Sequence, residues 1–152
     1  MPERVSRRRQ GRAMLGSGML LDLSSFSRAL ASLDRAALRA QGAPDDEELR
    51  DAVIQRFEYT YELAWKMLKR HLEQVVPDSA RIDSLSFREL IREGAERGIV
   101  ADPERWLEYR HQISLALHAY DSATARLVFQ TALVFRDAAR ALLVALARRS
   151  EG

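Results

Sequence analysis

The chain has 152 residues, of which 47% are hydrophobic and 30% charged, so it can close one hydrophobic core but not two ordinary domains. It contains no cysteine, which excludes a disulfide framework and a thiolate metal site. The formal net charge is +2, but residues 1–12 hold five arginines and one glutamate. The part of the chain after residue 12 is therefore not basic. We expect residues 1–18 to be a flexible basic N-terminal tail, or to precede a translation start at Met14 or Met19. Residues 19–150 are expected to form one domain.

Several common signals are missing from the sequence. No apolar run reaches the roughly 18 residues of a membrane span, and Arg7 to Arg9 are not followed by the apolar core of a signal peptide. We therefore expect a cytoplasmic protein without membrane contact. Neither GxGxxG nor GxxxxGK[ST] occurs, so any nucleotide must be bound without these phosphate loops. Since no histidine and carboxylate have the HExxH spacing, we predict no metal, and we expect no cofactor.

The first half of the chain shows two helical periods. Met19 to Gln41 carries apolar residues three and four positions apart, and Gly42 to Asp46 then interrupt the helix. A second helix is predicted from about Asp46 to Val75. Its core arc comprises Val53, Ile54, Phe57, Tyr61, Ala64, Trp65, Leu68 and Leu72. On the polar side, Tyr59, Leu63 and Met67 form a second apolar strip, which predicts an interface with another chain.

The second half predicts three more helices. Ser86 and Glu89 have the spacing of a capping box at the start of a short helix from Phe87 to Arg97, and Gly98 suits its end. Asp102 and Pro103 suit the start of the next helix, for which the predicted buried face is Trp106, Tyr109, Ile113, Leu117 and Tyr120. A last helix runs to about Arg148, and its predicted seam is Leu127, Thr131, Val134, Ala138 and Leu142. The fold class is therefore all-α, an antiparallel up-and-down four-helix bundle with a short additional helix.

One segment, residues 106–121, gathers the candidate functional side chains: Arg110, His111, His118 and Tyr120. A histidine near a tyrosine at a helix end can hold a phosphate or act as acid or base, and the phenol can act as nucleophile or acceptor. The structural alternative is that His118 is a hydrogen-bonded residue at a helix end and His111 a solvated one. The residues alone leave both interpretations open.

Two parts of the chain resemble a known family. Residues 50–73, RDAVIQRFEYTYELAWKMLKRHLE, and residues 83–111 with LHAYD at 117–121 are similar to the nucleotidyltransferase substrate-binding proteins of the HEPN superfamily. The resemblance covers about residues 20–140 and is most specific in FEYTYELAWK. It implies a helical bundle, usually a homodimer, that associates with a small nucleotidyltransferase encoded beside it. A nucleotide or RNA is the further ligand that the family implies.

The resemblance also implies an alternative function. In related toxin-antitoxin pairs the helical protein is an RNase with the motif Arg, four residues, His-x-Tyr, and the transferase silences it by attaching nucleotides to the tyrosine. Here His118 and Tyr120 match the motif, but Ile113 stands where the arginine belongs, and Arg110 does not occupy that position. We therefore favour a noncatalytic binding subunit. The alternatives are an RNase that uses His118 and is modified at Tyr120, and a scaffolding bundle without a ligand.

Overall fold

A computed structural model describes residues 21–118 and 121–151, and every structural statement below refers to these residues. Regular structure in them is helical throughout. The helices are α1 Ser24–Gln41, α2 Glu47–Val75, α3 Ser79–Asp83, α4 Phe87–Glu96, α5 Pro103–His118 and α6 Ser122–Glu151. The predicted all-α bundle is confirmed. The predicted tail, residues 1–18, and Tyr120 lie outside the described residues. α3 is a second short helix, and its five residues are too few to show a helical period.

Local side-chain hydrogen bonds mark the starts of α2 and α4. The Asp46 carboxylate accepts from the backbone N–H groups of Glu48 and Leu49 at 3.0 and 3.2 Å, at the start of α2. The capping box at α4 is confirmed, since Ser86 and Glu89 exchange bonds of 3.1 and 2.8 Å. These bonds satisfy N–H groups that have no partner within the helix. Gly98 ends the α4 segment with a φ of 76°, a conformation that favours glycine.

α2 lies at the centre of the bundle, packed against α1, α6, α4 and α3, while α5 packs on α6 and α4. An aromatic cluster joins α2, α5 and α6 through Phe57, Tyr61, Trp106, Tyr109 and Phe135. The centroids of the Phe57 and Phe135 rings are 5.0 Å apart, and those of Tyr61 and Trp106 are 5.6 Å apart. The Tyr61 hydroxyl donates to the Trp106 carbonyl at 2.6 Å, so a buried hydrogen bond links α2 to α5.

The second apolar strip predicted on α2 is not one exposed surface. Met67 is only 7% exposed and belongs to the core, and Leu63 is partly buried against it. Tyr59 alone stands well out, at 60% exposure. The prediction that all three side chains lie outside the core was wrong for Met67. Because helices pack on several sides of α2, its buried surface is wider than one amphipathic arc.

The buried faces of α5 and α6 also differ from those predicted. On α5 the core includes Gln112 and Ala116, whereas Ile113 is partly buried and Leu117 is 67% exposed. On α6 the buried residues are Ala125, Val128, Ala132, Phe135, Ala139, Leu142 and Leu146. Leu127 and Val134, placed on the seam by the sequence, are 50% and 48% exposed. α6 is apolar on more than one side, and the aromatic cluster around Phe135 decides which side faces inward.

Candidate functional site

The predicted functional residues of α5 that the structure describes lie on its exposed side. Arg110, His111 and His118 are all exposed. Eight residues separate Arg110 from His118, which is roughly 12 Å along the helix axis. The two side chains therefore share a surface without being in contact. The relation of Tyr120 to His118 stays a prediction, because Tyr120 lies outside the described residues.

His118 is held by its own helix. Its Nδ1 atom is 2.9 Å from the carbonyl oxygen of Ser114, one turn earlier. Since a carbonyl oxygen only accepts hydrogen bonds, Nδ1 is the donor in this contact, and Nε2 is left for contact with a bound molecule. The side chain also matches the structural alternative of a hydrogen-bonded histidine at a helix end, although it is exposed and not partly buried.

Arg110 is oriented by an aromatic ring. Its guanidinium carbon lies 4.1 Å from the centroid of Phe87 in α4, which is cation–π geometry. Among the described residues no carboxylate forms an ion pair with Arg110. Its charge is therefore available to an anion. His111 lies beside it and lines the same shallow hollow over Phe87.

An open groove of about 580 Å³ lies between α2 and α5. It is lined by Gln55, Glu58, Tyr59, Tyr61, Glu62, Trp65, Arg110, Ile113, Ser114 and Leu117. The α2 side carries carboxylates and aromatic rings, while the α5 side carries one cation and two aliphatic side chains. A groove with apolar walls and a few charged groups is a typical binding site.

The charges in the groove differ in their environment. Burial raises the pKa of Glu58 above its ordinary value, because a carboxylate loses hydration there. Glu62 is exposed and forms an ion pair with Lys66 at 3.3 Å. Ile113, at the position of the motif arginine, adds an apolar wall and no cation. The α5 side therefore presents Arg110 alone as its positive charge in the groove.

Sequence reasoning did not find this groove. Trp65 was predicted to be core, with a place in the wall of a ligand pocket as the alternative. It packs against the core but is only partly buried, and it lines the groove and meets the Phe87 ring edge-on at 5.7 Å. The signal was present in the sequence. Gln55, two residues before FEYTYELAWK, and Glu58, Tyr59 and Glu62 within it recur three and four residues apart on one face of the helix.

Within residues 21–118 and 121–151, no three histidines or carboxylates are grouped so that they could hold a metal ion. No helix in this part of the chain is both long enough and apolar enough to cross a membrane.

These features define the class of the protein as an α-helical bundle with a binding groove. The groove has apolar walls and a few charged groups, and the exposed His118 lies beside it. Residues 21–148 match the sequence profile of the family described as "Nucleotidyltransferase substrate binding protein like", and the chain belongs to this family. The family resemblance inferred from FEYTYELAWK and the later segments is confirmed.

The similarity to Haemophilus influenzae is found both in sequence and in structure. The chain is 32% identical over 96 residues to a "Probable ribonuclease HepT"; the match covers 63% of this chain and 66%, just under two thirds, of that protein. A solved structure is described as revealing "the fold of a substrate binding domain of a nucleotidyltransferase". It aligns with a TM-score of 0.77 and 27% identity, over 82% of this chain and 98% of that chain.

Proposed function

We propose that this protein is a noncatalytic, cytoplasmic subunit that docks a separate small nucleotidyltransferase and helps to bind or present its substrate. The observation that carries the proposal is the groove between α2 and α5, since the most family-specific segment of the chain, FEYTYELAWK, forms its α2 wall. The description of the solved relative as a substrate-binding domain of a nucleotidyltransferase supports the same function.

The exposed groups around the groove suit a protein partner. Tyr59 and Leu117 are 60% and 67% exposed on opposite walls, and large apolar side chains of this kind lose contact with water when a partner covers them. Glu58 and Arg110 supply charges of both signs, which can determine the orientation of the partner. We assign Trp65 of the α2 wall and the α5 wall, with Arg110 and Leu117, to the transferase.

We further propose a homodimer in which Tyr59 and the exposed part of Leu63 form the contact between copies. Met67 is removed from the predicted interface because it is buried in the core. The two contacts are separable in experiment. Tyr59→Glu should yield a monomer in light scattering, whereas Leu117→Glu should abolish co-purification with the transferase and leave the dimer intact.

The control for both variants is Leu38→Glu on α1, which alters an even more exposed leucine, at 72%, far from the groove lining. It should change neither self-association nor transferase binding, and all three variants should keep the far-UV circular dichroism of the wild type. If Leu117→Glu still binds the transferase as tightly as the wild type, the proposed docking wall is wrong. If Tyr59→Glu remains dimeric, the dimer uses another surface.

The second candidate is an RNase toxin, favoured by the free Nε2 of His118 and by the relative described as a probable ribonuclease. Ile113 argues against an RNase, because it stands at the position of the motif arginine and supplies no cation. A scissile phosphate needs a nearby cation to stabilise its developing charge. We expect no RNA cleavage by the isolated protein, and no added mass after incubation with the transferase and a nucleoside triphosphate. Cleavage that disappears in His118→Ala, or nucleotide addition that disappears in Tyr120→Phe, would establish the toxin function instead.

A further inference from the structure

A second candidate site lies at the end of the bundle where α1 turns into α2. Arg50, in the first turns of α2, is only 8% exposed, and its Nε atom is buried without a hydrogen-bond partner. Within the described residues its side chain forms no ion pair and no hydrogen bond. An arginine keeps its charge in proteins, and burying such a charge without a counter-ion is strongly unfavourable. The fold therefore leaves a buried cation unneutralised.

This cation faces a cavity of about 440 Å³, a size typical of small-ligand sites. The cavity lies between the α1–α2 turn and the start of α6, and it is lined by Ala40, Gln41, Ala43, Pro44, Asp46, Arg50, Arg126, Phe129, Gln130 and Leu133. None of these residues lines the groove between α2 and α5. The cavity is thus separate from the proposed docking surface.

The cavity has an excess of positive charge. Arg126 of α6 adds a second guanidinium, which has no ion pair in the part of the chain that the structure describes. Asp46 is the one carboxylate among the lining residues, and its Oδ1 is already engaged by the N–H groups of Glu48 and Leu49. Two cations against one carboxylate leave the site with a net positive charge.

The side chains that line the cavity limit the chemical class of ligand that it can bind. Guanidinium groups bind phosphate oxygens through two parallel hydrogen bonds, and two of them match the double charge of a phosphate better than the single charge of a carboxylate. Gln41 and Gln130 add amide donors, and Phe129 offers an apolar wall to the rest of a ligand. We propose that this cavity binds the phosphate group of a small phosphorylated ligand, with Arg50 and Arg126 as its counter-ions. The site goes beyond the proposed function, since it needs no transferase.

The test is a calorimetric titration of the full chain, without any partner, with four probes in turn: inorganic pyrophosphate, ATP, acetate and an RNA oligonucleotide. We expect saturable binding of both phosphate compounds and none of acetate. Arg50→Met and Arg126→Gln should each weaken binding by about 10- to 100-fold, the range for losing one charged hydrogen-bonding group. Arg70→Met, which changes an exposed arginine on the same helix outside the cavity, is the matched control and should bind as the wild type does.

Arg50→Met provides a second readout that a purely structural arginine would not give. Without ligand its melting temperature should be higher than that of the wild type, because an unpaired buried charge is replaced by an apolar side chain. Pyrophosphate should then stabilise the wild type and not the variant. Should Arg50→Met fail to fold, Arg126→Gln carries the binding test, since Arg126 is exposed.

Four outcomes would overturn the proposal. The first is no saturable binding of pyrophosphate or ATP by the wild type at millimolar concentrations. The second is unchanged binding in both arginine variants, which would place the anion elsewhere. The third is equal binding of acetate, which would indicate a general anion site. The fourth is binding of an RNA oligonucleotide alone, without either small phosphate compound, which would indicate a nucleic-acid surface.

Discussion

The hydrogen bond from Tyr61 to the Trp106 carbonyl joins the two walls of the groove, and Tyr61→Phe removes it while keeping the ring. Burial raises the pKa of the Tyr61 hydroxyl, so the group stays protonated and can donate throughout the physiological pH range. The stacking against Trp106, at 5.6 Å between centroids, needs no hydroxyl and is retained. The substitution therefore isolates one buried interhelical bond.

The expected loss of stability is about 1 kcal/mol, the middle of the range for one hydrogen bond. A larger penalty is not expected, because a carbonyl within a helix also accepts from the N–H four residues later, so the Trp106 oxygen is not left without a partner. Urea unfolding followed by circular dichroism should show a lower midpoint with an unchanged slope. The control is Tyr59→Phe, whose exposed hydroxyl should change stability by less than about 0.5 kcal/mol.

Two results would refute this reasoning. If Tyr61→Phe is as stable as the wild type, the short contact of 2.6 Å contributes nothing net to the α2–α5 junction. If it loses more than about 3 kcal/mol, the effect exceeds one hydrogen bond, and the placement of α5 itself depends on the hydroxyl.

Three further predictions concern other parts of the bundle. Trp65→Ala should lower the free energy of unfolding in urea by about 2 kcal/mol, which is less than the loss expected for a fully buried aromatic side chain. It should also weaken pull-down of the transferase. A loss of about 3 to 5 kcal/mol would instead show that Trp65 belongs to the core. Burial, together with Arg149 and Arg97, lowers the pKa of His71 below 6.5, so stability should fall as the pH decreases through 6.5 towards the folded-state pKa. His71→Gln should flatten that part of the stability profile, and an unchanged profile would contradict the assignment. Gly94→Ala should lower the free energy of unfolding, measured in urea, by about 1 to 2 kcal/mol, since the new Cβ would lie 2.8 Å from Val100 Cγ2. A stabilised variant would mean that Val100 moves aside freely.

The sequence by itself determined the five longer helices, together with the start of α2 and both ends of α4. Asp46, the Ser86–Glu89 pair and Gly98 act on backbone groups within about four residues, so their spacing along the chain is sufficient to recognise them. The family was also recognisable, because FEYTYELAWK is a contiguous segment. The exposure of His111 agrees with its interpretation as a solvated helix residue, whereas the exposure of His118 was not predicted.

Only the tertiary structure decided which apolar side chains are buried and where cavities lie. Val128 and Phe135 are buried on α6 in place of Leu127 and Val134, and periodicity could not distinguish these neighbouring strips because both are apolar. Met67 is core because helices surround α2 on several sides. The sequence could likewise not show that the charge of Arg50 is unpaired, since this depends on every residue that packs around the side chain. Burial and pairing are properties of contacts between distant segments, and local spacing along the chain does not encode them.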